Sequence, residues 1–151
     1  MRISLRATYG ILAAVDLALH NRDIPIQAKT IAKRRGIPAR FLEQVLHAMR
    51  KAGLVSSHRG AQGGYVLNRN PKQLSLADII EALEGPLMAS NGTVGAGRRI
   101  AGSVPRPDVL LTHVWERIKQ AELSILSEIT IEQLVGRQRQ LEQQRSLMYH
   151  I

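Results

Sequence analysis

Three amphipathic segments in the first third of the chain carry the clearest pattern of apolar and polar positions. Apolar residues recur at helical spacing within residues 7–20, 27–35 and 39–52. In the third segment one face is apolar and consists of Phe41, Leu42, Val45, Leu46 and Met49. The opposite face is polar and consists of Arg40, Glu43, Gln44, His47, Arg50 and Lys51. The pattern predicts three helices, of which the third has one face to bury and one to expose.

A short turn and a hairpin complete this first unit. The sequence Gly36-Ile37-Pro38 separates the second and third predicted helices, because glycine commonly ends a helix and proline fits a first turn. Two strand-like runs follow at 54–57 and 65–67, and a glycine-rich loop joins them. A helix, a short turn, a second helix and a hairpin in this order predict a winged helix-turn-helix.

A fourth helix and a loop follow the hairpin. Residues 75–78 resemble an N-terminal capping box, after which apolar residues recur at helical spacing up to Leu83. Gly85 and Pro86 are expected to end this helix. The segment 85–107 contains no acidic residue, five glycines and three prolines, which predicts a flexible loop.

The region after this loop has a stripe that is typical of helix pairing. Its apolar residues alternate at steps of three and four, and they are Leu111, Val114, Ile118, Ala121 and Ile125. Such a pattern suits a long dimerisation helix, and a weaker continuation from Ile131 to Leu141 predicts a final helix. The predicted fold is mainly α with a small β-hairpin wing. We divide the chain into a winged-helix domain over 1–84, the loop over 85–107, and the two C-terminal helices over 108–151.

The charge distribution separates the two halves of the chain. Residues 1–70 hold 12 basic and 3 acidic side chains, whereas residues 71–151 hold 9 of each. The net charge of +9 therefore belongs to the N-terminal half, which indicates a polyanion or an anionic membrane as its partner. Aromatic residues make up only 3%, which disfavours a surface that stacks single-stranded bases. The chain contains no cysteine, which excludes disulfides, thiol catalysis and thiolate metal sites.

The basic N-terminus superficially resembles a secretion signal, because Arg2 and Arg6 precede an apolar stretch at 7–19. Asp16 interrupts that stretch, however, and residues 20–23 provide no small-residue cleavage site. No run approaches the roughly 18 apolar residues that a membrane-spanning helix needs. We therefore interpret the stretch as the buried first helix of a cytoplasmic protein.

The third predicted helix has the side chains that a DNA-reading helix needs. Arg40, Glu43 and Gln44 lie in its first turns, where they would reach base edges in the major groove. Arg50 and Lys51 come later and suit phosphate contacts. The alternative is an ordinary solvated helix face, which carries similar residues.

The hairpin loop adds a second candidate contact. Its glycines, Gly60, Gly63 and Gly64, permit close approach to a sugar-phosphate chain. Arg59 at the tip could enter a narrow minor groove, where the negative potential is enhanced. The alternative is an ordinary glycine-rich turn with one exposed arginine. A nucleotide-binding loop fits poorly, because neither a Lys-Ser/Thr pair nor a helix follows the glycines.

Four motifs carry a resemblance to a known family, and they are Leu42-Glu43-Gln44, Arg50-Lys51-x-Gly53-Leu54-Val55-Ser56-Ser57, Arg59-Gly60 and Gly63-Gly64-Tyr65. Together they resemble the Rrf2 family of bacterial winged-helix regulators, and the resemblance runs from Met1 to about residue 135. It implies a homodimer that binds double-stranded DNA at a roughly palindromic operator. Such a regulator acts either as a repressor or as an activator of transcription, and of the two we predict a repressor.

The resemblance also implies roles for individual residues. Glu43 and Gln44 would read bases, Arg59 would enter the minor groove, and Tyr65 would stabilise the wing from its base. The complete set predicted to contact DNA is Arg40, Glu43, Gln44, His47, Arg50, Lys51, Ser57, Arg59, Gly60, Gly63 and Gly64.

One departure from the family concerns its cofactor. Sensing members carry three cysteines before the dimerisation helix, where they ligate an iron–sulfur cluster, and the corresponding segment 85–107 has none. His113 resembles a cluster-ligating histidine of the family, but a lone histidine cannot hold a cluster without thiolates. His113 and Glu116 have a spacing compatible with two metal ligands, although an ordinary polar helix face is favoured. We therefore predict no metal and no cofactor, with a protein partner, a small molecule or no effector at all as the signal.

Two other functions compete with a sequence-specific regulator. The basic half also suits a non-specific nucleic-acid binder or an RNA-associated protein. An enzyme is disfavoured, because neither a nucleophile–base arrangement nor a complete metal motif is visible. Asp16 and Glu81 are interpreted as helix-surface carboxylates rather than catalytic groups.

Overall fold

The computed structural model describes residues 2–20, 23–87 and 107–150. Within these ranges the chain forms six helices and two strands. In chain order they are α1 (Leu5–Leu19), α2 (Ala28–Arg35), α3 (Ala39–Lys51), β1 (Val55–His58), β2 (Gly64–Leu67), α4 (Leu76–Glu84), α5 (Pro107–Glu128) and α6 (Ile131–Tyr149). The predicted fold class, mainly α with a small hairpin, is confirmed. Most of the predicted loop lies outside the described residues, which resume at residue 107.

The hairpin is an antiparallel pair to which a third short segment is added. Val55 pairs with Leu67 and His58 pairs with Gly64, so both strands begin or end one residue from the predicted bounds. Ile26, which precedes α2, forms an isolated bridge with Tyr65 on β2. Its backbone N–H donates to the Tyr65 carbonyl at 3.0 Å, and the Tyr65 N–H donates back at 2.8 Å. The wing is thereby attached to the segment that leads into α2.

One main hydrophobic core holds the helices of the first unit together. The apolar face of α3 provides four of its buried side chains, and they are Leu42, Val45, Leu46 and Met49. Ile131 and Val135 on α6 are also buried in this core, with 0% and 2% of their surface exposed. The beginning of α6 therefore packs within the winged-helix unit, a contact that the sequence-based division at residue 108 did not anticipate.

Backbone hydrogen bonds secure the start of α6 against the start of α4. The Leu76 N–H donates to the Ile129 carbonyl at 2.9 Å, and the Ile131 N–H donates to the Leu74 carbonyl at 2.8 Å. The predicted capping box of α4 is present, with Ser75 as its first residue. A second capping box begins α6. The N-termini of α4 and α6 are therefore stabilised by local capping as well as by packing.

Two side-chain placements differ from the sequence interpretation. Phe41 was expected on the buried face of α3, but 42% of its surface is exposed. It lies at the edge of the apolar face and contacts Tyr9 of α1 in an edge-to-face arrangement, with ring centroids 5.6 Å apart. Glu81 is exposed, as expected.

Asp16 is buried, which corrects the expectation that its carboxylate lies on the surface of α1. Only 1% of it is exposed, because α2 places two guanidinium groups against its carboxylate. Arg34 Nη2 lies 2.6 Å from Asp16 Oδ2, and Arg35 Nε lies 3.2 Å from Oδ1. Arg35 Nη1 also donates to Gln138 on α6 at 2.8 Å. A buried charge of this kind requires such partners, and the cluster joins α1, α2 and α6.

No helix in the described parts of the chain is long and apolar enough to cross a membrane.

Candidate nucleic-acid interface

The turn between α2 and α3 sets the position of the exposed helix. Gly36 ends α2 in the left-handed conformation, with φ of 63°. Ile37 is buried, and its N–H donates to the Ala32 carbonyl at 3.0 Å. Pro38 then precedes α3 as its N-cap residue. The predicted three-residue turn is therefore present, and its buried middle residue anchors the start of α3.

The two faces of α3 have opposite environments. The four core residues of its apolar face are at most 1% exposed. The polar residues predicted to contact DNA are all exposed, and they are Arg40, Glu43, Gln44, His47, Arg50 and Lys51. This arrangement holds the helix firmly while its polar side chains remain accessible, as insertion into a major groove requires.

Arg50 connects α3 to the wing. Its Nη1 donates to Ser57 Oγ on β1 at 3.2 Å, and its Nη2 lies 3.2 Å from His47 Nδ1 one turn earlier on α3. All three residues are exposed. The guanidinium group thus links the end of α3 to the first strand of the wing, in addition to supplying positive charge at the surface.

The tip of the wing is accessible and is supported from below. Arg59, Gly60 and Ala61 are exposed. Gln27 Nε2 donates to the Ala61 carbonyl at 3.4 Å, which attaches the tip to the start of α2. Arg59 therefore lies on a supported, exposed loop from which it could reach a duplex.

Gly63 and Gly64 have a conformational role in the wing. Gly63 is buried, its N–H donates to the Gly60 carbonyl at 3.0 Å, and a Cβ there would lie 2.1 Å from the His58 carbonyl oxygen. Gly64 has φ of 146°, and a Cβ there would lie 2.4 Å from the carbonyl oxygen of Ile26. The absence of side chains at both positions lets the wing close tightly and pair with the segment before α2.

The predicted dimerisation stripe is exposed along α5. Leu111, Val114 and Ile118 have 43%, 46% and 45% of their surfaces exposed, Ile125 has 58%, and Ala121 is also exposed. A different face of the helix, with Leu123 and Leu126, packs against α1 and α4. The 22 residues of α5 span about 33 Å. The stripe is therefore available to a second helix while α5 remains docked on its own winged-helix unit.

The donor groups of this chain do not fit an iron–sulfur cluster. It has no cysteine thiolate to ligate iron. His113 and Glu116 are both exposed on α5. In the ranges that the structure covers, no cluster of three or more His, Cys, Asp or Glu side chains could hold a metal ion. Residues 88–106, which include most of the segment corresponding to the cysteine-bearing loop, lie outside those ranges.

A two-faced helix behind a short turn, followed by an exposed wing, defines the winged-helix class of DNA-binding folds. Residues 3–137 match the Rrf2 family, described as iron-dependent transcriptional regulators. The HTH-type transcriptional regulator IscR of Xenorhabdus nematophila is 34% identical over 143 residues, which cover 94% of this chain and 84% of that protein. The chain therefore belongs to the Rrf2 family of transcriptional regulators, and the resemblance noted from its motifs is confirmed.

Solved structures agree with this assignment. CymR, the global cysteine regulator of B. subtilis, superposes with a TM-score of 0.72 at 31% identity, covering 91% of this chain and 98% of that one. IscR of T. potens superposes with a TM-score of 0.70 at 34% identity, covering 91% and 88%. The winged-helix architecture and the family are thus supported independently by sequence and by structure.

The sequence did not identify the residues that attach the wing to the segment before α2. Ile26 and Gln27 hold the wing through contacts with Tyr65 and Ala61. Tyr65 itself is half-buried on β2, where the family resemblance places a residue that stabilises the wing. The two attachments join residues more than thirty positions apart, so no local pattern could have indicated them.

Proposed function

We propose that this protein is a sequence-specific regulator of transcription, acting as a repressor in the cytoplasm. It binds double-stranded DNA as a homodimer on a roughly palindromic operator and uses no iron–sulfur cluster. The observation that carries the proposal is the environment of α3. Its apolar side is sealed in the core, whereas its polar side is exposed next to an exposed, supported wing.

Different residues make the contacts with base edges and the contacts with phosphates and the minor groove. Arg40, Glu43 and Gln44, on the first turns of α3, read base edges, since arginine pairs with guanine, glutamine with adenine, and glutamate with the cytosine amino group. Lys51 at the end of α3 contacts phosphate, and Arg59 enters the minor groove. This division predicts that substitutions at the start and end of α3 change DNA binding in different ways.

The exposed stripe on α5 supports the proposal of a homodimer. Five apolar side chains in heptad-like spacing lose water contact when two such helices pair, which supplies the driving force for association. In a dimer, the two winged-helix units must lie about 34 Å apart to read successive major-groove segments. The helix that joins them, α5, is of comparable length. Because the two winged-helix units of such a dimer are related by symmetry, the operator that they bind is expected to be palindromic.

Repression is the simplest action of such a dimer, because protein that occupies both grooves excludes other proteins from that DNA. The family relatives are transcriptional regulators, and we propose no enzymatic activity. Because the chain has no thiolate to receive a cluster, it would respond to a partner protein, to a small molecule or to no effector at all.

The proposal is tested by selecting bound duplexes from a random library and then measuring affinity at one fixed salt concentration. The selected duplex should bind at least about a thousandfold more tightly than random DNA. Glu43→Ala should reduce this ratio with little change on random DNA, whereas Lys51→Ala should weaken both complexes to the same degree.

A non-specific binder would give a different result. The library would then yield no common sequence, and both substitutions would act equally on every duplex, in line with binding through phosphates alone. Tighter binding to single-stranded RNA than to the selected duplex would favour an RNA-associated protein instead.

A further inference from the structure

A small cavity lies on the side of the winged-helix unit where α5 packs, away from α3 and the wing. Its volume is about 180 Å³. The walls come from the segment before α1, the end of α4 and the second half of α5. Leu87, Leu123 and Leu126 form the apolar part of the lining. Two cationic and two acidic side chains complete it, and they are Arg2, Lys119, Glu84 and Glu122.

Lys119 is the unusual member of this lining. Its Nζ is buried and has no hydrogen-bond partner within the described parts of the chain. A buried ammonium group without an acceptor is strongly unfavourable, because nothing replaces the water lost on burial. Glu84 Oε1 accepts a hydrogen bond from Ser4 Oγ, and neither Glu84 nor Glu122 forms a hydrogen bond with Lys119 Nζ. The cavity therefore presents an ammonium group that lacks a hydrogen-bond acceptor, next to an apolar wall.

We propose that this cavity binds a small metabolite with one carboxylate and a short apolar chain. The carboxylate accepts a hydrogen bond from Lys119 Nζ, with Arg2 nearby in the lining, and the apolar chain packs on Leu123 and Leu126. A carboxylate is the anion that a single ammonium group pairs with most simply, through a charge-assisted hydrogen bond.

The size and charge of the cavity restrict the ligand further. Cavities for drug-sized ligands have volumes of roughly 300–1,000 Å³, so about 180 Å³ admits only a compact molecule. The carboxylates of Glu84 and Glu122 oppose a second negative charge in the same space. A monocarboxylate is therefore favoured over a dicarboxylate or a phosphate ester.

The cavity lies between α5 and the winged-helix unit, so a bound molecule would contact both. Its lining combines α5, which carries the exposed apolar stripe, with residues flanking α1 and α4 in the winged-helix unit. A ligand that contacts both would hold α5 more firmly against that unit. This inference concerns ligand binding itself and does not depend on the proposed function in transcription.

The test uses isovalerate as the probe, with the neutral, equally shaped isovaleramide and the dianion succinate for comparison. Calorimetric titration of the full chain should show binding of isovalerate and at least about tenfold weaker binding of the other two compounds. Lys119→Met, which keeps most of the apolar stem, should abolish isovalerate binding. Lys72→Met, a change of the same kind at an exposed lysine outside the cavity, should leave it intact.

A second measurement needs no ligand. Because Lys119→Met removes an unpartnered buried charge, the melting temperature of the free variant should exceed that of the unsubstituted protein. A lower melting temperature would show that the ammonium group is satisfied within the protein, and the proposal would fail. It would also fail if isovalerate did not bind, if isovaleramide bound equally well, or if the Lys119 variant kept its affinity.

Discussion

Arg50 Nη1 donates a hydrogen bond to Ser57 Oγ across 3.2 Å, which joins the last turn of α3 to the first strand of the wing. The two elements that are proposed to enter different DNA grooves are therefore linked by a side-chain hydrogen bond before DNA binds. Holding them in advance reduces the conformational entropy that binding must overcome. Arg50 is thus a positioning residue as well as a surface cation.

Removing the Ser57 hydroxyl should weaken binding to the selected duplex about two- to tenfold, the value of one exposed hydrogen bond. The salt dependence should change little, since Ser57→Ala removes no charge. A double-mutant cycle with Arg50→Ala isolates the contact, and the two losses should be non-additive. Additive losses would mean that Arg50 and Ser57 act on DNA independently.

Arg59 is expected to contribute affinity through charge at the tip of the wing. Arg59→Ala should weaken DNA binding and should lower the slope of log affinity against log salt by about one, because one phosphate-linked counterion fewer is released. Lys72→Ala is the matched control, since it also removes an exposed cation but lies outside α3 and the wing. Equal slopes for the two variants would contradict a wing contact.

Gly64 is expected to tolerate no side chain. In Gly64→Ala the added Cβ would meet the backbone of Ile26 at 2.4 Å, and the φ of 146° is unfavourable for alanine. The Tyr65 amide, which donates to the Ile26 carbonyl, should then exchange with solvent faster, as hydrogen exchange can measure.

Gly136 supplies the control for that substitution. It lies in α6, and a Cβ there would meet nothing within 4 Å. Gly136→Ala should therefore stabilise the protein by about 0.5–1 kcal/mol in denaturant unfolding, because alanine loses less backbone entropy in a helix. If the Tyr65 amide of Gly64→Ala exchanged with solvent as slowly as in the unsubstituted protein, the wing would have adjusted while keeping its hydrogen bond to Ile26, and the prediction for Gly64 would be wrong.

The stripe on α5 is expected to hold the dimer together. Ile118→Arg places a charge in the centre of the stripe and should convert the protein to a monomer in analytical ultracentrifugation, since burying an unpaired charge is costly. Glu116→Arg introduces the same side chain on α5 but off the stripe, and it should remain dimeric. A dimeric Ile118 variant, or an unsubstituted protein that is monomeric at working concentrations, would contradict the assignment.

Asp16 is expected to be important for stability. Asp16→Asn removes the charge that pairs with Arg34 and Arg35, so two guanidinium groups lose their counter-charge. Loss of one member of a buried ion pair costs about 3 kcal/mol or more, which corresponds to a fall of roughly 6–12 °C in melting temperature. Asp23→Asn, at an exposed position, should change it little. Equal melting temperatures for the two variants would show that the cluster is energetically neutral.

Much of the candidate site could be predicted because its features are local. The two faces of α3 follow from helical spacing over thirteen residues, and the turn at Gly36 follows from the conformational preference of glycine. The stripe on α5 was equally visible, because a heptad-like repeat identifies a pairing face without knowledge of the partner.

The sequence predicted less accurately whether side chains at the edges of these patterns are buried or exposed. Phe41 satisfies the spacing of the apolar face, yet it lies at its edge, where exposure depends on which neighbour is close enough to cover it. Asp16 looked like an ordinary polar interruption of an apolar helix. Its burial depends on two arginines eighteen and nineteen residues later, which no period within α1 can indicate.

The order, type and charge of the elements are encoded locally, because backbone propensity, helix capping and hydrophobic period act over a few residues. Packing among distant segments decided the remainder: the attachment of the wing through Ile26, the burial of Asp16 against α2, the docking of α6 in the core and the unpartnered ammonium of Lys119. Each of these depends on which surfaces meet when the chain closes on itself, and that is a property of the complete fold rather than of any one segment.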